Sequence, residues 1–226
     1  MPRVFLFDID NTLLYTGGAG GLAMAQAFER LYGVPNGFAG IEFSGRTDRF
    51  ILQSGLDNHG ISGGCDAHLG KFTDLYYTLL PAAMNEREGR LMPGFPHLLD
   101  TLSGEPEVRL GLATGNFPRA ARLKLEHFGI DRYFSGGGFG EASLERADVV
   151  RAAIDSVANG ARPEDVLVIG DTPHDVISAL DNGAVAVGVA TGSYVVDDLR
   201  ASGAHLAFAD FSDWRAAAEA MLGFVV

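Results

Sequence analysis

The sequence predicts an α/β fold, a doubly wound parallel sheet with an inserted all-helical cap subdomain. Two observations lead there. Short apolar runs rich in β-branched and aromatic residues alternate with helical patterns over most of the chain, as in repeated strand–helix–strand units. One stretch of about 70 residues breaks the alternation, too long for a simple crossover.

Taken in order, "VFLF" (4–7) is the first strand. It is apolar at every position, as a strand buried on both faces must be. Residues 17–88 hold helical patterns at 20–32 and about 66–84 but no buried strand, and are assigned to the inserted cap. "LMPGFPHLLDTL" (91–102) brings the chain back, so the core domain comprises 1–16 and 89–226. "VRLGLAT" (108–114), "VLVIGD" (166–171) and "AVAVGVA" (184–190) are three further strands. Between them, 117–128 carries Pro118 near its start and Gly129 after its end, the usual helix punctuation. Residues 146–158 place Val149, Val150, Ala153, Ile154 and Val157 on one helical face, and 173–182 opens on Pro173 and is followed by Gly183. A short strand is expected at Tyr133-Phe134. The glycines at 136–138 and 140 read as a tight loop at the site's edge, since the spacing of a nucleotide-binding fingerprint is absent.

Charge and composition narrow the function. With 226 residues and a formal net charge of −12, the chain is a poor general binder of nucleic acid or anionic membrane, whose phosphates call for basic surfaces. A small phosphorylated substrate remains compatible, because it needs positive charge only at its site. The single cysteine, Cys65, excludes an internal disulfide and an all-cysteine metal site. The start "MPRVFLFDID" does not read as a signal peptide and no apolar run approaches membrane-spanning length. A cytoplasmic protein is therefore expected. The six histidines show no metal-ligand spacing, and His174 is expected to face outward.

The chemistry concentrates at the strand ends, where open α/β sheets bind their ligands. The first strand stops at Asp8-Ile9-Asp10-Asn11-Thr12, the second at Thr114-Gly115-Asn116, and a later one at Gly170-Asp171-Thr172-Pro173-His174-Asp175. Carboxylates gathered there repel one another unless a cation neutralises them. Mg²⁺ suits an all-oxygen ligand set shared with a phosphate. One carboxylate can act as a covalent nucleophile toward phosphorus, and its neighbour two residues on as general acid and base.

These segments, in this order, resemble the haloacid dehalogenase superfamily of aspartate-nucleophile hydrolases, in its phosphoglycolate phosphatase-like branch. "FDIDNTLL" is similar to the family's first motif, "LATGN" to the second and "VIGDTPHDV" to the fourth, while "SGRTDRFIL" (44–52) resembles a stretch of the cap. The resemblance implies a Mg²⁺-dependent phosphatase acting on a small phosphomonoester. Asp8 would be the nucleophile and Asp10 the acid/base. Asp171 would hold the metal with Asp8 and the main-chain carbonyl of Asp10, and Asp175 would act through a water or orient the third-motif cation. Thr114, Gly115 and Asn116 would bind the phosphoryl group, and Arg46 of the cap would contact the substrate.

Two departures stand out. Asn11 replaces the usual glycine, a mild change because Asn tolerates left-handed backbone. The third motif normally supplies a lysine, yet residues 129–165 contain none. Arg146, at a helix start after the Gly-rich loop, is assigned that role in preference to Arg132, Arg151 and Arg162, and its fork can serve both carboxylate and phosphate. A phosphomutase resembling β-phosphoglucomutase and a non-catalytic binding protein on the same scaffold remain as alternatives.

Overall fold

In the computed structural model, which describes residues 3–158 and 160–225, β1 (Arg3–Phe7) runs through the interior of a six-stranded sheet. Its neighbours are β4 (Val108–Thr114) and β6 (Val166–Gly170), both parallel to it. β5 (Gly137–Phe139) lies beyond β4, and β7 (Val185–Val189) and β8 (Leu206–Phe208) lie beyond β6, again parallel. The order β5-β4-β1-β6-β7-β8 means the chain builds outward on one side of β1, then crosses back to build the other. A crevice opens where that direction reverses, outside the carboxyl ends of β1, β4 and β6.

Alternation along the strands sorts their side chains. Phe5, Phe7, Leu110, Leu112, Leu167 and Ile169 face one helical layer, formed by α4 (His97–Ser103), α5 (Pro118–His127) and α9 (Trp214–Gly223). Val4, Leu6, Ala113, Val166 and Val168 face the other, formed by α6 (Arg146–Val157), α7 (Pro173–Asp181) and α8 (Val196–Ala201). Both faces are dry, so the strands read as continuous apolar runs.

The insertion is helical, as expected: α1 (Ala19–Tyr32), α2 (Asp48–Asn58) and α3 (Gly64–Glu86). It has its own apolar cluster around Phe28, Phe38, Phe72 and Tyr76, which continues onto Phe117 and Ala120 at the start of α5. A two-stranded antiparallel ribbon, β2 (Leu14–Tyr15) with β3 (Arg90–Leu91), carries the chain into and out of it.

Several local expectations are corrected. Residues 131–133 form a 3₁₀ turn rather than leading into a strand at Tyr133-Phe134. The strand comes instead from the Gly-rich segment read as a loop. A Cβ on Gly137 would collide with the Leu112 carbonyl, and one on Gly138 with the Val149 carbonyl. Here glycine is required because β5 is squeezed between β4 and α6, a tertiary demand that overrides strand propensity. Helix α2 was not anticipated, nor were α8, β8 and α9. Among the described residues, no helix is long and apolar enough to cross a membrane.

Candidate active site

Asp8 follows β1 directly and continues its ladder, its N–H donating to the Ile169 carbonyl at 2.9 Å. The chain then turns sharply at Asn11, whose φ of 60° is left-handed, a conformation Asn tolerates.

Asp8 is buried. Arg146 reaches it from the start of α6, with Nη2 2.8 Å from Asp8 Oδ1, 2.6 Å from Asp175 Oδ1 and 2.9 Å from the Ala113 carbonyl. Burial pushes the Asp8 carboxyl up to about 6, against the pull of Arg146. The same two carboxylates raise the Arg146 guanidinium above its ordinary range, outweighing its burial. The other arginines weighed for this place are elsewhere: Arg151 and Arg162 are exposed and paired locally with Asp148 and Asp165, and Arg132 bonds to the Gly129 carbonyl and the Tyr133 hydroxyl.

Asp175 has both oxygens engaged. Oδ1 accepts from Arg146, and Oδ2 accepts from the Thr172 N–H at 3.1 Å and its hydroxyl at 2.7 Å. It thus closes the capping box of α7 while orienting Arg146. Asp171 stands differently. Its Oδ1 receives a long bond from Thr12 Oγ1 at 3.4 Å, and its buried Oδ2 has no hydrogen-bond partner. Burial, with Asp175 and Asp8 nearby, pushes its carboxyl up to about 9. A Cβ on Gly192 would strike that bare oxygen, so glycine keeps the approach to it open.

Asp8, Asp171 and Asp175 each offer an oxygen within 4.8 Å of the others. An orphaned buried carboxylate oxygen in an all-oxygen cluster fits a hard divalent cation. Asp8 and Asp171 would hold it, with Asp175 behind them. The Asp10 carboxylate lies outside the cluster, so only that residue's main chain could join.

Asp10 is the exposed member, its side chain 41% accessible. Lys124 Nζ lies 2.8 and 2.6 Å from its two oxygens, and Asn116 Nδ2 donates to Oδ2 at 2.8 Å. The Asn116 amide also donates to Thr114 Oγ1 at 2.8 Å and accepts from Lys124 at 2.6 Å. In this arrangement Asn116 serves Asp10, whereas the sequence assigned it to the phosphoryl oxygens. Thr114 Oγ1, fully buried, accepts from the Asn116 amide and from its N–H at 3.3 Å. With both acceptor positions used, its proton is left to donate onward.

The cap closes over these groups. Asp48, first residue of α2, donates its N–H to the Gly115 carbonyl at 2.7 Å and accepts from the Phe117 N–H at 2.8 Å. Burial pushes its carboxyl up to about 6. Gly115 lies so close under the cap that a Cβ there would collide with the Arg46 carbonyl, and Gly45 packs on Thr172 and His174. His174 is accordingly half-buried against the cap rather than turned outward. The guanidinium of Arg46 stacks 4.7 Å over Phe50, and its buried Nε has no partner. A cavity of about 340 Å³, partly open to solvent, is lined by Asp8, Asp10, Asp48 and Asp171, by Arg46, Lys124 and Arg146, and by Met24, Phe43, Ile51 and Tyr76 of the cap.

Sequence reasoning missed Lys124 and Asp48. A signal for the first was available: Lys124 shares the buried face of α5 with Ala120, Ala121 and Leu125, and a lysine on such a face must find a partner. Asp48 was quoted within 44–52 but carried no pattern that distinguished it.

A curated 5'-nucleotidase from Pseudomonas aeruginosa is 34% identical over 117 residues, covering 50% of this chain and 52% of that protein. The chain thus matches about half the length of that relative. A phosphoglycolate phosphatase from Rhodospirillum rubrum is 27% identical over 230 residues, covering 95% of this chain and 91% of that one. The crystal structure of a predicted phosphatase from Clostridium acetobutylicum superposes with a TM-score of 0.71 at 22% identity, covering 99% of this chain and all of the other, which bears on the fold alone. The model of the haloacid dehalogenase-like hydrolases matches residues 2–183, which include every strand end and cap contact just described, and the chain belongs to that family.

Proposed function

We propose that this protein is a Mg²⁺-dependent phosphatase that hydrolyses a small phosphomonoester through an aspartyl-phosphate on Asp8. The observation that carries the reading is the pairing of two differently placed aspartates. Asp8 is buried against Arg146, 2.8 Å away, beside an orphaned metal-type carboxylate, while Asp10 is exposed to the cavity and held by Lys124.

In the first step an Asp8 oxygen bonds to phosphorus as the bond to the leaving oxygen breaks, and Asp10 protonates that oxygen. In the second, Asp10 takes a proton from water as the water oxygen attacks phosphorus, releasing phosphate and free Asp8. Arg146 and the Thr114 hydroxyl stabilise charge on the transferring oxygens. Mg²⁺, held by Asp8 and Asp171 and by the main-chain carbonyl of Asp10, supplies the remaining positive charge when bound. Residues 17–88 act as the cap, and Arg46 meets the part of the substrate that departs. The cavity's modest size suits a small phosphorylated molecule rather than a polymer, and the names of the relatives point to nucleoside monophosphates and phosphoglycolate as first trials.

The test is Mg²⁺-dependent release of phosphate from an aryl phosphate, followed by a panel of sugar phosphates, phosphoglycolate and nucleoside monophosphates. Asp8→Asn is expected to abolish release while folding is retained. Wild-type turnover in folded Asp8→Asn protein would refute the mechanism. Turnover of a sugar phosphate into its isomer, with no phosphate released, would favour the phosphomutase reading.

A further inference from the structure

Lys124 takes part in no step of the chemistry set out above, yet of the chain's two lysines it is the one buried among fixed acceptors. Its side chain is 4% accessible and rises from the buried face of α5. Its ammonium has three acceptors: both oxygens of Asp10, at 2.8 and 2.6 Å, and Asn116 Oδ1 at 2.6 Å. Those are as many acceptors as an ammonium has protons. The bond to Oδ1 also settles which way the Asn116 amide points, because only its oxygen can accept from Lys124. The amide's two donors then reach Asp10 Oδ2 and Thr114 Oγ1.

We propose that Lys124 is a positioning residue for the reaction. It fixes the direction of the Asp10 carboxylate and, through Asn116, the orientation of the Thr114 hydroxyl, so that the acid/base group and a phosphate donor are set by one buried ammonium. Space around it is reserved for the purpose: a Cβ on Gly20 of α1 would lie 3.3 Å from Nζ, so a side chain there would press on the ammonium. Stability alone does not call for the pair, since a buried ion pair replaced as a whole, both partners together, by apolar side chains of similar volume is often neutral. What an apolar residue could not do is hold a half-exposed carboxylate in one direction, and misplacement of about 1 Å at a reacting group can cost on the order of 10²-fold in rate.

The inference rests on the assignment of Asp10 as acid/base, and the experiment separates the two. Lys124→Met, Lys124→Arg, Asp10→Asn and the double variant Asp10→Asn/Lys124→Met are compared by thermal melting and by steady-state turnover of an aryl phosphate at saturating Mg²⁺. Lys124→Met is expected to lose about 10²-fold in kcat with KM changed less than about threefold, the pattern of a lost transition-state contribution. Lys124→Arg, which keeps the positive charge but presents it on a planar fork, is expected to recover part of the loss. In the Asp10→Asn background Lys124→Met is expected to add far less, only the share that runs through Asn116 to the Thr114 hydroxyl, because the acid/base it positions is already disabled. The proposal is overturned if folded Lys124→Met keeps wild-type kcat, if its loss is equally large in the Asp10→Asn background, or if neither Lys124 variant folds, which would make the lysine a structural tie. Undiminished turnover in Asp10→Asn would instead refute the acid/base assignment on which the proposal stands.

Discussion

Replacing Arg146 with alanine tests the electrostatic centre of the site. The guanidinium is buried, with 7% of its side chain accessible, and it bonds at once to Asp8, Asp175 and the Ala113 carbonyl. Removing it strands two buried carboxylates, Asp8 at 12% and Asp175 at 2% side-chain accessibility. Removing one partner of a buried pair costs about 3–5 kcal/mol, because the other charge is left uncompensated. At ~2–4 °C per kcal/mol for a chain of this size, melting should fall by roughly 6–20 °C. The fall should be larger at pH 8 than at pH 5: burial already raises the Asp8 carboxyl and Arg146 pulls it down, so without Arg146 it titrates higher still, the folded variant binds an extra proton, and stability is lost as pH rises. Turnover should drop on the order of 10²–10³-fold. Arg146→Lys restores a charge but not the fork and should fall between. Arg151→Ala, whose side chain is 61% accessible, is the control and should stay within about 0.5 kcal/mol of the parent. The assays are differential scanning calorimetry at the two pH values and aryl-phosphate turnover. An Arg146→Ala protein that melts with the parent at pH 8 would refute the reasoning.

Two further outcomes follow from the same groups. Asp8 and Asp48 titrate near 6 and Asp171 near 9, all raised from 3.8 chiefly by burial. Each folded-state carboxyl therefore holds its proton to higher pH than the unfolded chain does, and metal-free stability should fall as pH rises through these values. Saturating Mg²⁺ should flatten that decline, and Asp171→Ala should abolish the Mg²⁺ effect; melting curves with chelator and with Mg²⁺ read both. At the seam of cap and core, Asp48→Ala leaves the Phe117 N–H without its acceptor and should cost about 0.5–2 kcal/mol, whereas Asp48→Asn keeps an acceptor and should cost far less; denaturant unfolding compares the two.

How much of this could be read in the sequence depended on whether a residue's constraint was local. The strands at 4–7, 108–114 and 166–171 were legible because a strand buried on both faces must be apolar throughout. Asp8, Asp10, Asp171 and Asp175 were legible because strand ends are where such a sheet exposes polar groups. β5 was not, since Gly137 and Gly138 look like loop residues until β4 and α6 are seen closing on them. Helix α2 escaped because its start is set by contact with the core, through Asp48 on Gly115 and Phe117, more than by its own periodicity. Lys124 escaped for a different reason: a second cation was sought only between 129 and 165, where the third motif belongs. The one that meets Asp10 lies earlier, on a helix whose polar partner is more than a hundred residues away in sequence.

The charges in the cavity wall suggest why one divalent ion should suffice. Asp8, Asp10, Asp48 and Asp171 line the cavity with Arg46, Lys124 and Arg146, and Asp175 stands behind Arg146, so five carboxylates against three cations leave two formal negative charges. The local pairings show where the deficit falls. Lys124 is committed to Asp10, and Arg146 is shared by Asp8 and Asp175. Asp48 rests on a backbone N–H. Of these five, Asp171 alone has a buried oxygen with no donor, and burial pushes its carboxyl further up than those of Asp8 and Asp48. A dication beside Asp171 and Asp8 would cancel the excess at the place where it is felt. Arg146 and Arg46 both keep a buried Nε without a partner, and Arg46 is the one outside the carboxylate pairings just named. It sits on the cap rather than on the sheet, so an anionic substrate entering the cavity adds an attraction between cap and core that the empty cavity lacks. Under the proposed mechanism, binding energy gathered there would hold the cap shut and exclude water from Asp8 and Asp10.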